Sequence, residues 1–217
     1  MVNQSKVYRY FHAGELFSLK HLAGNLELAA AISNQSGGRY LAILPQDLEV
    51  DPSRTSATRD TDLLALLSAD VALFNFDGPE LDSGTVVEFV FAKFADIPAV
   101  LLRTDFRRGG DSHQDPWNLM VSDWPRTEKV LVHAMKLYHS TRPVNGAEAA
   151  APATCAVAGQ IVEAFDRVIK EPPVLPNDLR EAAYRWLSVA PRFGLAPGEI
   201  EAKLHDILIR KANRGLL

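Results

Sequence analysis

Short apolar runs alternate with longer amphipathic stretches along the first 139 residues. The apolar runs predict five strands, at residues 7–14, 40–47, 71–76, 97–105 and 128–134. Apolar residues at helical spacing predict the helices between them, at residues 15–33, 61–69 and 85–95. Strands that alternate with helices are typical of a parallel sheet covered on both faces. We therefore expect an α/β fold with a five-stranded, flavodoxin-like parallel sheet in the order 2-1-3-4-5.

The pattern changes near residue 140. Residues 1–139 predict the α/β domain, and the alanine-rich, turn-rich residues 140–152 predict a linker. Residues 153–217 predict a helical C-terminal extension, with helices at 153–170, 177–189 and 197–214 that end at proline-containing breaks. Two interpretations stay open for this extension: a small helical subdomain, or an arm that packs on another subunit.

The composition excludes several classes of protein. The chain has 217 residues, is 47% hydrophobic and carries a net charge of −4, so a nucleic-acid polymer is not an expected partner. Its single cysteine, Cys155, excludes an internal disulfide and a cysteine-based zinc site within one chain. No apolar run reaches about 18 residues, and the N-terminus lacks a signal-peptide core. We expect a cytoplasmic protein without a membrane segment, cofactor or metal.

The stretch from Asp70 to Glu88 contains the strongest functional clue. Its sequence, DVALFNFDGPELDSGTVVE, predicts a buried strand, a Gly-Pro turn and the start of a helix for which Asp82 is a typical N-cap. The helix is apolar on nearly every side, yet Glu88 has no Lys or Arg three or four residues away. An isolated acid in such a helix is costly unless it is used or satisfied. A functional acid and a buried acid satisfied by a backbone amide or a tyrosine both stay open.

The predicted topology brings a set of candidate side chains to the carboxyl edge of the sheet. They are Tyr10, Phe11, His12, Gly14, Gln46, Asp47, Asp62, Asp77, Asp82, Glu88, Asp105, Arg107 and Asn118. The set is rich in carboxylates and amides and has no His/Cys cluster for a metal. It suits a neutral, ring-bearing ligand whose bond is broken by carboxylate chemistry. Phosphate binding has less support, because GxGxxG and GxxxxGK[ST] are absent and Asp82 would repel an anion.

Several of these residues also have a purely structural interpretation. Asp82 is by default a helix cap, and Asp62 is an acid of the kind favoured near the start of a helix. Tyr10 and Phe11 are more often part of a strand core than ligand contacts. The residue types alone therefore do not define the site.

Four segments together resemble the nucleoside 2-deoxyribosyltransferase family: YFHAGELF, the helix that runs from Asp62 to Asp70, FDGPELDSGTVVEFVFA and PWNLM. The resemblance covers about residues 6–139, and the spacing from Asp82 to Glu88 is its most specific part. It implies an enzyme that exchanges the base of a 2′-deoxynucleoside through a covalent deoxyribosyl-glutamate intermediate, with net retention. Its small-molecule partners would be 2′-deoxynucleosides and free nucleobases, both purines and pyrimidines rather than purines alone.

The resemblance also assigns the catalytic roles. Glu88 would be the nucleophile, and Tyr10 would orient it through its hydroxyl. Asp82 and Asp62 would hold the base and supply or accept its proton. No cofactor is implied.

The same resemblance implies the substrate contacts and an oligomer. Gln46 would read the base edge, and Phe11 and Gly14 complete the predicted substrate-binding set. Asn118 matches a family asparagine that reaches the sugar 5′-hydroxyl in a neighbouring subunit's site. A homo-oligomer, a dimer or an assembly of dimers with shared active sites, is therefore expected.

Two features depart from the family pattern. Residues 140–217 are not covered, and residues 51–59 align poorly, which leaves the base preference open. Two other functions stay open as well. One is a hydrolase of 2′-deoxynucleoside 5′-monophosphates, for which Arg107 and Arg108 are the nearby cations. The other is a non-catalytic nucleotide-sensing module with the helical tail as its output.

Overall fold

The sheet has the predicted order. The structure, a computed structural model, describes residues 6–48, 55–107, 115–141, 151–189 and 197–217. In these ranges five parallel strands form one sheet in the order β2-β1-β3-β4-β5. The strands are β1 Tyr8–Ala13, β2 Tyr40–Ile43, β3 Val71–Asn75, β4 Ala99–Arg103 and β5 Thr127–Leu131. The flavodoxin-like α/β fold is confirmed.

Helices connect and follow these strands. Within the described ranges they are α1 Leu19–Gln35, α2 Thr55–Ser68, α3 Ser83–Phe94, α4 Ala134–Thr141, α5 Ala151–Val168, α6 Arg180–Val189 and α7 Pro197–Asn213. Short 3₁₀ turns lie at Pro45–Asp47, Leu119–Val121 and Asn177–Leu179. The predicted second strand was too long, because Pro45 ends the strand and opens a 3₁₀ turn. Helix α4 was not predicted, and α2 begins six residues earlier than expected.

The two faces of the sheet carry separate cores, because successive side chains in a strand point to opposite faces. Helices α1 and α5 cover one face, where Tyr10, Leu73 and Phe165 are buried together. Helices α2, α3, α6 and α7 contribute to the other core, which contains Phe11 and Phe89. Strands buried on both faces read as nearly continuous apolar runs, as the sequence VALFN of β3 shows.

The C-terminal helices pack on the sheet. Helix α5 contacts α1, β4 and β5, and α7 contacts α2. Two guanidinium groups bind the buried carboxylate of Asp70: that of Arg210 on α7 at 2.7 Å, and that of Arg214, the residue after α7, at 3.1 Å. Most of the predicted linker, residues 142–150, lies outside the described residues. A division of the chain at residues 139 and 153 stays a prediction. Among the described helices, none combines the length and hydropathy needed to cross a membrane.

Candidate active site

Glu88 lies near the start of α3, at the carboxyl edge of the sheet. Strand β3 ends at Asn75, and the seven residues 76–82 lead to α3. Asp82 caps the helix: its Oδ2 accepts hydrogen bonds from the backbone N and from the Oγ1 of Thr85, both at 2.8 Å. This cap fixes the first turn of α3, so the position of Glu88 one turn later depends on the loop that carries Asp82.

The carboxyl group of Glu88 is repelled by two nearby carboxylates, those of Asp62 and Asp82. Asp62 lies on α2, the helix next to α3 on the same face, and Asp82 lies at the start of α3. The pKa of Glu88 is raised to about 8, mainly by burial and further by the negative charges of Asp62 and Asp82. Glu88 is only partly buried, so solvent still reaches the residue. An acid with this perturbed pKa, beside two like charges at a strand edge, is a strong candidate for a functional residue.

Tyr10 does not join this cluster. Its ring is fully buried against the ring of Phe165, with centroids 5.2 Å apart, on the face covered by α1 and α5. Its hydroxyl has no hydrogen-bond partner among the residues that the structure describes, and burial raises its pKa above the usual value. The expected hydrogen bond to Glu88 is absent for a simple reason: Tyr10 points to one face of the sheet, and α3 covers the other. Phe11, its neighbour, points to the α3 face and is part of that core.

Gly14 and Gln46 are held in place by structural contacts. Gly14 follows β1 with a φ of +158°, and a Cβ at this position would lie 3.1 Å from the Cβ of Asn75. The glycine therefore permits a close approach between the ends of β1 and β3. Gln46 donates from Nε2 to the carbonyl oxygen of Leu22 on α1 at 3.1 Å, and its Oε1 is 3.5 Å from the side-chain amide of Asn25. These contacts tie Gln46 to α1, and its predicted reading of the base stays a prediction.

Asn118 lies on the other side of α3 from Glu88. It is exposed and caps the short turn Leu119–Val121, where its Oδ1 accepts from the backbone N of Met120 at 2.9 Å. With Ser83 and Val87 of α3 it lines a cavity of about 650 Å³. A second cavity, of about 840 Å³, lies beside α1, α4 and α5, at the carboxyl ends of β3 and β4 and next to Val132, the residue after β5. Glu88 lines neither of these cavities.

The sequence did not indicate how the loop before α3 is held. Arg103, the last residue of the otherwise apolar strand β4, is buried and donates to carbonyl oxygens of this loop. Asp77, expected only as one of several acids at the strand ends, accepts hydrogen bonds from the segment after β4. The available signal was a charged residue at the end of an apolar strand. Arg108 and residues 51–54 lie outside the described residues.

Taken together, the sheet order and the three carboxylates beside α3 define an α/β protein with a candidate active site at its carboxyl edge. The family model described as nucleoside 2-deoxyribosyltransferase matches residues 10–120, just over half of the chain. The chain therefore belongs to the nucleoside 2-deoxyribosyltransferase family. The match includes all three carboxylates, and it supports a nucleoside deoxyribosyltransferase-type function.

Solved structures are similar to this chain as well. A conserved protein from Enterococcus faecalis shares 26% sequence identity, with a TM-score of 0.50 over 60% of this chain and 94% of that chain. A 2-desoxiribosyltransferase from Leishmania mexicana shares 16% identity, with a TM-score of 0.46 over 56% of this chain and 89% of that chain. A search of curated proteins found no match. The family assignment rests on the family model.

Proposed function

We propose that this protein exchanges the nucleobase of 2′-deoxynucleosides, with Glu88 as the nucleophile. The observation that carries the proposal is the group of Glu88, Asp62 and Asp82 around the start of α3, inside the region that matches the family. An oxocarbenium-like transition state needs negative charge close to the sugar, and these carboxylates supply it.

The reaction proceeds in two displacements. A carboxylate oxygen of Glu88 bonds to the anomeric carbon while the bond to the base breaks, and the base leaves with the electron pair and takes up a proton. A second base then attacks the same carbon and displaces Glu88, so two inversions retain the configuration. Asp82 and Asp62 hold the base and move its proton; the cap occupies Oδ2 of Asp82, which assigns proton transfer to Oδ1. In this proposal both purine and pyrimidine bases can leave and can attack.

Glu88 must lose its proton before it can attack. Its pKa of about 8 means that the protonated form dominates in the free enzyme at neutral pH. We therefore expect kcat/KM to rise with pH and to level off above about 8.

The proposed role of Asn118 requires a dimer with shared sites, and an exposed apolar surface supports such a dimer. Four apolar side chains beside Asn118 and along the outer surface of α3 are about half exposed or more: Val87, Phe94, Leu119 and Met120. An exposed apolar surface of this kind is typical of a protein interface. In the proposed dimer a second copy covers it, and Asn118 reaches the sugar in the neighbouring subunit.

A base-exchange assay tests the proposal. Thymidine or deoxyinosine is mixed with free adenine in the absence of phosphate, and the new deoxynucleoside is measured by chromatography. We expect exchange by the wild-type protein and almost none by folded Glu88→Ala, whereas Glu80→Gln, an exposed loop glutamate, serves as the matched control. A Glu88→Ala rate equal to that of the wild type would exclude Glu88 as the nucleophile.

Three further measurements separate this proposal from its alternatives. A 2-fluoro nucleoside should trap the sugar on Glu88, where peptide mass spectrometry locates the ester. Release of base from dGMP but not from deoxyguanosine would instead indicate the monophosphate hydrolase. Tight ligand binding without any product over a long incubation would indicate a sensing module.

A further inference from the structure

Crossed hydrogen bonds tie the loop before α3, residues 76–82, to the end of β4. The guanidinium of Arg103 donates to the carbonyl oxygens of Phe76 and Gly78 in the loop, the latter at 3.0 Å, and to that of Arg107 at 3.2 Å. Arg103 is 2% exposed, so these carbonyl contacts replace the water that its charge has lost. Gly78 has a φ of +109°, which a side chain would strain, and this conformation belongs to the loop that Arg103 holds.

Asp77 makes the reciprocal connection from the loop to the segment after β4. Its Oδ1 accepts from the backbone N of Thr104 at 2.5 Å and from that of Asp105 at 2.7 Å. Its Oδ2 accepts from the Oγ1 of Thr104 at 2.7 Å. One side chain thus reaches from β4 to the loop and another from the loop to β4, which restrains the loop more firmly than either set of bonds alone.

This loop ends at Asp82, the cap of the helix that carries Glu88. Neither Asp77 nor Arg103 is among the groups that perturb the pKa of Glu88; those are Asp62 and Asp82. Their contacts are with the loop and the segment after β4, so any effect on Glu88 passes through the position of Asp82 and the first turn of α3.

We propose that Asp77 and Arg103 are positioning residues for the base exchange, because their crossed hydrogen bonds set where Asp82 and Glu88 lie relative to the substrate. This inference rests on the proposed function. Misplacement of reacting groups by about 1 Å lowers the rate by roughly 100-fold. We therefore expect Asp77→Ala to lower kcat by about 100-fold, with KM for the deoxynucleoside changed much less, since both carboxylate oxygens of Asp77 are bonded to the segment after β4.

The test compares kcat, KM and the titration of Glu88 in four variants. Asp77→Ala removes the acceptors, and Arg103→Lys keeps a charge that cannot reach all three carbonyls. Asp77→Asn keeps one acceptor oxygen and should recover part of kcat. Glu80→Gln is the matched control, because it changes an exposed side chain of the same loop and leaves the crossed hydrogen bonds of Asp77 and Arg103 in place.

The titration of Glu88, followed by carboxyl NMR with Glu88→Gln to identify the signal, separates positioning from loss of stability. We expect the Glu88 titration to move to lower pH in Asp77→Ala, because Asp82 no longer stays close. Arg210→Ala, destabilised at the opposite edge of the sheet, should leave both kcat and this titration unchanged. Folded Asp77→Ala with wild-type kcat and titration would overturn the positioning role alone, whereas a wild type without exchange would overturn the proposed function.

Discussion

Replacing Glu88 with glutamine isolates the energetic consequence of its ionisation, because glutamine keeps the shape and carries no charge. In the native protein, the pKa of Glu88 is raised from 4.5 to about 8. Burial is the larger cause, and repulsion from Asp62 and Asp82 adds to it. Unfolding returns the carboxyl group to water. Between these pH values the native state therefore holds a proton that the unfolded state has released, so native stability is complete below about 4.5 and falls as the pH rises to about 8.

The size of this effect follows from the two pKa values. Each pH unit in the window is worth about 1.4 kcal/mol, so full ionisation of Glu88 costs the native state at most about 5 kcal/mol. Solvent reaches the partly buried side chain and reduces this cost. The quantity compared is the free energy of unfolding of Glu88→Gln minus that of the wild type. We expect this difference to increase by about 2 kcal/mol between about pH 5.5 and about pH 8.5.

Urea denaturation followed by tryptophan fluorescence at these two pH values measures the difference. All proteins are compared at one concentration, because the stability of an oligomer depends on concentration. Glu80→Gln, at an exposed position in the loop before α3, should follow the wild type within about 0.5 kcal/mol at both pH values. A pH dependence of Glu88→Gln that runs parallel to that of the wild type would refute the reasoning, since Glu88 would then have an ordinary pKa.

Three further substitutions test other parts of the structure. Asp62→Asn removes one of the two charges that raise the pKa of Glu88, so the rise of kcat/KM with pH should occur at lower pH. Arg210→Ala removes a partner of the buried Asp70 carboxylate and should lower the free energy of unfolding by about 2–4 kcal/mol in urea denaturation, less if Arg214 compensates. Tyr10→Phe removes a buried hydroxyl that has no partner within the described part of the chain, so melting temperature and exchange rate should not fall; a large loss of rate would support the role expected from the family.

The sheet order could be predicted because it depends on a repeated signal. Apolar strands alternate with helices, and this alternation indicates a parallel sheet. The missed elements lack that signal. Helix α4 is only eight residues long and has no fully buried residue, so its apolar pattern is short, and the first turns of α2 lie in the polar segment TSATRD.

The candidate site could be predicted only in part, because two side chains meet there only when they lie on the same face of the sheet. The carboxylates of Asp62, Asp82 and Glu88 come together through α2 and α3, which cover the same face. Tyr10 was expected beside them from the family pattern, but strand alternation directs it to the other face. Two of the three backbone carbonyls that Arg103 binds lie about 25 residues away along the chain, and no side-chain pattern reveals such partners.

Two acids at the amino edge of the sheet are paired with guanidinium groups, whereas the charged groups that act on Glu88 at the carboxyl edge are other acids. This contrast distinguishes structural acids from a candidate functional one. At the amino edge Asp70 is bound by Arg210 and Arg214, and Asp96 is 2.9 Å from the buried guanidinium of Arg126. Among the described residues, no cation pairs with Glu88 at the carboxyl edge; its neighbours are other acids. A fold gains nothing from gathering like charges, and a cost of up to about 5 kcal/mol is comparable with the whole stability of many domains. Such an arrangement is expected to persist only where ligand binding or catalysis depends on it, which is why Glu88, and not the better-buried Asp70, is the candidate nucleophile.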